Sequence, residues 1–170
     1  GSMGSSDVSL IYTDDDYDSY SNIFDNAKTD ITDADKDRLI AVLKQLNEGE
    51  NIESVVDVNE VIRYFVVHNF VCNFDSYTGS MIHNYYLYEE DGQLSMIPWD
   101  YNLAFGTYAL GMTDPIKEPN ILINYPINTP AEGEVMLNRP LYHNLMKHDG
   151  YFARYHAYFD KLLSEYFESG

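Results

Sequence analysis

The sequence predicts an α+β fold that is mostly helical, and three features support this prediction. Two apolar stretches in the first half of the chain repeat at helical spacing, and two more follow near its end. Between them, a tyrosine- and leucine-rich run, a glycine-containing turn and a second apolar run predict a β-hairpin. With 170 residues, of which 45% are hydrophobic, the chain is long enough to bury the core of one domain.

The beginning of the chain is predicted to contribute little regular structure. Residues 1–6, Gly-Ser-Met-Gly-Ser-Ser, are typical of an expression-tag remnant, so residues 7–170 form the predicted domain. The segment 7–31 mixes aspartates with aromatic residues, and we expect it to form an irregular or partly helical cover over the core.

Two helices are predicted next. Thr32 or Asp33 can cap the first helix, whose leucines and isoleucine share one face until Gly49 ends it. The second helix begins at Asp57, whose spacing to Glu60 resembles a capping box. Its many apolar residues predict a central, largely buried helix.

The second half of the chain alternates loops with short regular elements. A polar loop at 73–80 precedes the hairpin, whose strands are predicted at 85–88 and 94–97. Four prolines predict an irregular segment over 112–138, and two helical segments are predicted after Arg139.

The net charge of −18, from 28 acidic and 10 basic residues, limits the possible partners. Such a charge repels phosphate groups and anionic lipids, so neither nucleic acid nor a membrane is predicted as a partner. The single cysteine, Cys72, excludes an internal disulfide and is predicted to be a buried apolar residue. Sixteen tyrosines leave two interpretations open, which are packing in and around the core or stacking against carbohydrate.

Three polar residues around the predicted hairpin indicate chemistry. Asp75 lies in the loop before it, Asn84 precedes its first strand, and Asp100 follows its second strand. Because a hairpin brings the start of one strand beside the end of the other, we expect these side chains near one end of the ribbon. Their oxygens suit Mg²⁺ with substrate phosphates, and phosphoryl transfer also needs a carboxylate that orients the attacking hydroxyl. Each residue also has a structural alternative, as a loop, turn or cap residue.

Two stretches around these residues resemble the signature of the spore coat protein H (CotH) kinase-like family. They are 83–88, HNYYLY, and 97–106, IPWDYNLAFG, and the resemblance covers most of residues 7–167. It implies an atypical protein-kinase-like C-lobe with a small β-hairpin at the active site. It also implies ATP and Mg²⁺ or Mn²⁺ as cofactors, Ser residues of partner proteins as substrates, and a location in the spore coat or on the bacterial cell surface.

The resemblance also implies roles for individual residues. Asp75 would be the catalytic residue that acts as base or orients the hydroxyl, an assignment that rests on the order of the elements alone. Asn84 and Asp100 would bind the metal and, through it, the nucleotide. Asn102, at a position where the family often has Asp, would be a further metal ligand.

Neighbouring side chains carry further expectations. Trp99 is predicted to anchor the core rather than contact a ligand. Arg139 is expected either to pair with an internal carboxylate or to touch phosphate. In a strand, His83 should point to the face opposite Asn84, which counts against a metal-dependent hydrolase with a histidine base.

Part of a kinase is not apparent in the sequence. No glycine-rich loop precedes Asp75, and no lysine before it lies in a plausible strand. We therefore expect a C-lobe without its nucleotide-covering N-lobe, with little activity by itself and an apolar surface that favours self-association. Alternatives are a non-catalytic spore-coat or cell-surface binding module, a metal-dependent hydrolase, and a carbohydrate-binding domain.

Overall fold

The computed structural model describes residues 5–79, 81–107, 120–130 and 137–167, and it shows the predicted α+β fold. The α-helices are α1 (Ser21–Phe24), α2 (Asp33–Glu48), α3 (Val58–Phe70), α4 (Asn120–Ile123), α5 (Pro140–Met146) and α6 (Asp149–Tyr166). Single-turn 3-10 helices lie at Tyr17–Tyr20, Ile52–Ser54 and Tyr101–Leu103. The strands are β1 (Tyr85–Glu90) and β2 (Gln93–Pro98). Of the predicted irregular segment 112–138, residues 112–119 and 131–136 lie outside the described residues.

Helix α2 begins and ends where its sequence predicts. The Thr32 hydroxyl accepts a hydrogen bond from the backbone N–H of Asp35, and the Asp35 carboxylate accepts one from the backbone N–H of Thr32 at 2.6 Å. This reciprocal capping box satisfies two backbone donors that would otherwise be free. At the other end, Gly49 adopts a φ of 77°, a left-handed conformation that glycine tolerates without strain.

Helix α3 is the central helix of the fold. Its N-cap is Asp57, whose side chain accepts a hydrogen bond from the backbone N–H of Glu60 at 3.0 Å. The helix packs against both α6 and β2. Its fully buried side chains include Val61, Ile62 and Phe65. The prediction of a largely buried helix here is confirmed.

The hairpin pairs β1 with β2 in antiparallel register, from Tyr85 opposite Pro98 to Glu90 opposite Gln93. Its turn contains Asp91 and Gly92 at φ values of 52° and 80°, as a two-residue type I′ turn requires. One face of the ribbon, with Leu94 and Met96, is buried against the core, whereas Tyr88 and Ile97 on the other face are exposed.

Tyrosines form a large part of the core, which confirms the packing interpretation for those that are buried. Tyr20, Tyr77, Tyr142 and Tyr155 are the largest of the fully buried side chains. In the described part of the chain, no helix combines the length and apolar character that a membrane span needs.

The loop 73–79, hereafter the Asp75 loop, is polar in sequence but largely buried in the structure. Asp75 and Ser76 are at most 5% exposed, and Thr78 is also buried. The Ser76 hydroxyl donates to the carbonyl of Asn73 at 2.8 Å. The loop follows α3 directly, so its backbone enters the core and its polar side chains bond to one another.

Candidate active site

Asp75 and Asn84 are in direct contact. The Asn84 side-chain amide donates to Oδ2 of Asp75 at 2.8 Å. The backbone N–H of Asp75 donates to Oδ1 of Asn73 at 3.3 Å, which helps to fix the residue within its loop. Oδ1 of Asp75 is buried and has no hydrogen-bond partner among the described residues. Asn84 therefore holds one carboxylate oxygen, and the other accepts no hydrogen bond from the described residues.

His83 lies on the same side as Asp75, so the prediction that it points away from the site is wrong. Its Nδ1 is 3.6 Å from Oδ1 of Asp75, close enough for an ion pair if the imidazole is protonated. Strand alternation does not apply here because β1 begins only at Tyr85. In addition, Ile82 and Asn84 have positive φ values of 49° and 56°, which rotate the backbone before the strand.

Arg139 donates hydrogen bonds to the backbone of the Asp75 loop. Its Nε donates to the carbonyl of Tyr77 at 2.7 Å, and its Nη2 donates to the carbonyl of Gly79 at 2.9 Å. The residue is only 3% exposed, and burial lowers the pKa of its guanidinium. No carboxylate among the described residues forms an ion pair with Arg139, and the loop carbonyls take the place of the expected carboxylate.

Asp100 and Asn102 form the other part of the site, which begins the segment 100–106, hereafter the Asp100 turn. Asp100 has a φ of 55° and caps the 3-10 helix that follows, accepting a hydrogen bond from the backbone N–H of Asn102 at 3.4 Å. The pairing of Tyr85 with Pro98 places Asp100 and Asn84 at the same end of the ribbon, as predicted. Within the described residues, no hydrogen bond or ion pair joins Asp100 to Asp75 or Asn84.

The Asp100 turn contacts a buried histidine that the sequence did not single out. The Tyr101 hydroxyl is 3.3 Å from Nδ1 of His68, and the two ring centroids are 4.8 Å apart. The His68 ring also stacks on Tyr64, with the ring centroids 3.9 Å apart. Burial lowers the pKa of His68 to about 4, so the imidazole is neutral near pH 7. In the sequence, the position of His68 one helical turn after Tyr64 on α3 was the signal that could have indicated this ring contact.

Trp99 is not a core anchor, in contrast to the prediction. Its side chain is 55% exposed at the end of β2, next to Asp100. It contacts the ring of Tyr86 with centroids 5.7 Å apart and an interplanar angle of 63°. Because the two rings are far from coplanar, they do not form the flat aromatic row that a carbohydrate platform would need.

A family model described as CotH kinase protein matches residues 3–170, which is nearly the whole chain. This chain belongs to the CotH kinase family. No curated protein and no solved structure matches it. Membership confirms the resemblance and makes a kinase-like protein the coarse description of its function.

The donor atoms of this CotH-family site fit a small hard cation in type. They are Oδ1 of Asp75, the amide oxygen of Asn84 and the exposed carboxylate of Asp100, and oxygen donors of this kind suit Mg²⁺ or Mn²⁺. In the ranges that the structure describes, no group of three or more His, Cys, Asp or Glu side chains is arranged to hold a metal. Phosphate oxygens of a nucleotide would supply the ligands that protein side chains do not.

Proposed function

We propose that this chain carries the phosphoryl-transfer site of an atypical protein kinase that uses ATP and Mg²⁺ or Mn²⁺ to phosphorylate Ser residues of partner proteins. The contact between Asn84 and the buried Asp75 carboxylate, at the hairpin end that also bears Asp100, is the observation that supports it most. We further propose that the fold corresponds to a kinase C-lobe, because the order of loop Asp, Asn, hairpin and second Asp is the order found in kinases.

In this proposal each residue has a separate role. Asp75 orients the serine hydroxyl through Oδ1, the oxygen that Asn84 does not hold, and accepts the proton as the hydroxyl oxygen bonds to the γ-phosphorus and the bond to ADP breaks. Asn84 and Asp100 would hold the metal, with Asn102 as a further ligand. The bound metal would neutralise charge on the phosphates. The exposed ring of Trp99 offers a surface on which the nucleotide base can stack.

The hairpin provides a matched pair of aspartates for the test. Asp100 and Asp91 lie at opposite ends of the ribbon, are both exposed, and have similar φ values of 55° and 52°. Asn tolerates this left-handed conformation, so Asp100→Asn and Asp91→Asn change charge with little backbone strain. Only Asp100 is next to the proposed phosphate site.

The experiment measures Mg²⁺-dependent ATP binding, and phosphate transfer to a Ser-containing protein, in the full-length protein that contains this sequence. Asp100→Asn should lower transfer by about a hundredfold or more, whereas Asp91→Asn should leave it unchanged. Asp75→Asn should abolish transfer while MgATP still binds. A folded protein that neither binds nor transfers would contradict the proposal and favour the non-catalytic surface module.

The same assay separates a kinase from a metal-dependent hydrolase. The hydrolase alternative has one structural observation in its favour, because His83 lies next to Asp75 and such a pair could activate water. Phosphate recovered on serine supports the kinase, whereas inorganic phosphate released with no acceptor labelling supports the hydrolase. We also propose a location in the spore coat or on the cell surface, which surface labelling of intact spores and cells would test.

A further inference from the structure

Two tyrosines flank the contact between Asp75 and Asn84. Tyr77 follows Asp75 by two positions in the loop, and Tyr85 follows Asn84 directly as the first residue of β1. Their rings meet edge to face, with centroids 5.5 Å apart and an interplanar angle of 88°. The two segments that carry the site residues are therefore joined by a direct ring contact.

Both tyrosine hydroxyls donate to consecutive carbonyl groups of the same segment. The Tyr77 hydroxyl donates to the carbonyl of Ser9 at 3.0 Å, and the Tyr85 hydroxyl donates to the carbonyl of Val8. Because the acceptors are neighbours in one backbone, the two hydroxyls are held at a fixed separation. A shift of either acceptor would move a tyrosine beside one site residue.

The segment that supplies these carbonyls is itself fixed in the core. Asp7 is 2% exposed, and its carboxylate accepts hydrogen bonds from the backbone N–H groups of Val8 and Asn22, each at 2.9 Å. Leu10 is completely buried, and its carbonyl accepts a hydrogen bond from the side chain of Asn47 on α2 at 3.3 Å. Segment 7–10 is thus fixed at both of its ends, by the hydrogen bonds of Asp7 and by the burial and hydrogen bond of Leu10.

We propose that Tyr77 and Tyr85 are positioning residues, whose hydroxyls, held by segment 7–10, keep Asp75 and Asn84 within hydrogen-bond distance. The proposal rests on the proposed function for its effect on catalysis. Its structural part stands independently, because the contact between Asp75 and Asn84 can be observed without any reaction. Removing a hydroxyl leaves its backbone carbonyl acceptor without this donor and frees the ring to shift.

The direct test uses Tyr85→Phe and Tyr77→Phe and follows the side-chain amide protons of Asn84 by NMR. These signals are assigned by their disappearance in Asn84→Ser. In both tyrosine variants we expect the amide signals to move and their exchange with water to become about tenfold faster, because the bond to Asp75 opens more often. Tyr85→Phe is the cleaner variant, since the Tyr77 hydroxyl also accepts a hydrogen bond from the backbone of Leu141.

Tyr142→Phe is the matched control. Tyr142 is as buried as Tyr77, and its hydroxyl donates to the backbone carbonyls of Ile127 and Asn128 at 3.3 and 3.2 Å. The substitution therefore removes the same kind of hydrogen bond at a place that does not adjoin Asp75. It should leave the Asn84 amide signals in place.

Activity gives the second measurement. In folded Tyr85→Phe, kcat for phosphate transfer should fall about ten- to a hundredfold while KM for MgATP changes little, because orientation rather than binding is lost. Unchanged Asn84 signals in both variants, or an equal change in Tyr142→Phe, would overturn the positioning role. Absence of phosphate transfer in the wild-type protein would instead overturn the proposed function. The NMR measurement would still decide whether the tyrosines position Asp75 and Asn84.

Discussion

The two parts of the candidate site are attached to the end of the same helix, yet they differ in how firmly they are held. The Asp75 loop continues α3 into the core, where Arg139 donates to two of its carbonyls. The Asp100 turn is held to α3 by the contact of Tyr101 with His68, and the backbone N–H groups of Phe105 and Gly106 donate to the carbonyls of Val71 and Cys72, just after the helix. Asp75 is 5% exposed, whereas Asp100 is open to solvent.

This difference suits the proposed function, in which Asp75 orients the hydroxyl and Asp100 binds the metal. A group that orients a hydroxyl gains from a fixed position, since small displacements cost much of the rate. A metal ligand that also faces incoming phosphates must be reachable from solvent before the nucleotide arrives. The buried Asp75 loop and the exposed Asp100 turn are arranged accordingly.

The largest expected effect comes from changing the backbone packing of the Asp75 loop. A Cβ added to Gly79 would lie 1.7 Å from the carbonyl oxygen of Phe74, so the loop could not keep its path. Gly79→Ala should lower the free energy of unfolding by about 3 kcal/mol or more, measured by urea denaturation. Gly92→Ala is the control, because a Cβ there meets nothing within 4 Å and only its φ of 80° is unfavourable, at about 1 kcal/mol. Equal losses in both variants would show that the loop is not tightly packed.

An intermediate effect is expected from the buried histidine beneath the Asp100 turn. Burial holds the pKa of His68 at about 4, below its ordinary value of about 6.5. Between these pH values the unfolded chain binds a proton that the folded chain does not, so stability should fall as the pH drops from about 6.5 to about 4. The contribution of this residue over that window is about 3 kcal/mol.

His68→Phe tests this pH dependence while keeping an aromatic ring between Tyr64 and Tyr101. The free energy of unfolding of the wild type and the variant should be measured by denaturation at several pH values from 7 down to about 4. As the pH falls, the free energy of unfolding of the wild type should decrease relative to that of the variant. Parallel curves would mean that His68 titrates normally and is not buried as the structure shows.

The sequence predicted those parts of the molecule that local signals determine. Helix α2 has its cap and its terminal glycine within the segment itself, and the hairpin has a turn that only one type of backbone fits. The proximity of Asn84 and Asp100 followed from the hairpin alone. For these elements, local chemistry and the final fold agree.

The sequence was least informative where contacts with distant segments determine whether a residue is buried. Trp99 was assigned to the core from its residue type, but whether the outer face of a hairpin is covered depends on segments far away in sequence. The polar composition of the Asp75 loop gave no sign of its burial, because the guanidinium of Arg139, which donates to two of its carbonyls, comes from about sixty residues later in the chain. His83 was misplaced because Ile82, just before it, has a positive φ of 49°, which its β-branched residue type gives no reason to expect.

The smallest expected effect on stability comes from Asp100, and it completes the contrast with the Asp75 loop. The Asp100 carboxylate is exposed, and its one described hydrogen bond, to the backbone N–H of Asn102, is long and can be replaced by an asparagine oxygen. Asp100→Asn should therefore change the free energy of unfolding by no more than about 0.5 kcal/mol, as should Asp91→Asn at the other end of the hairpin. Urea denaturation of both variants, alongside the transfer assay, measures stability and function separately. The Asp100 side chain is exposed and is not packed in the core. A large loss of stability in Asp100→Asn alone would therefore mean that this carboxylate stabilises the fold, and it would count against a role in ligand binding.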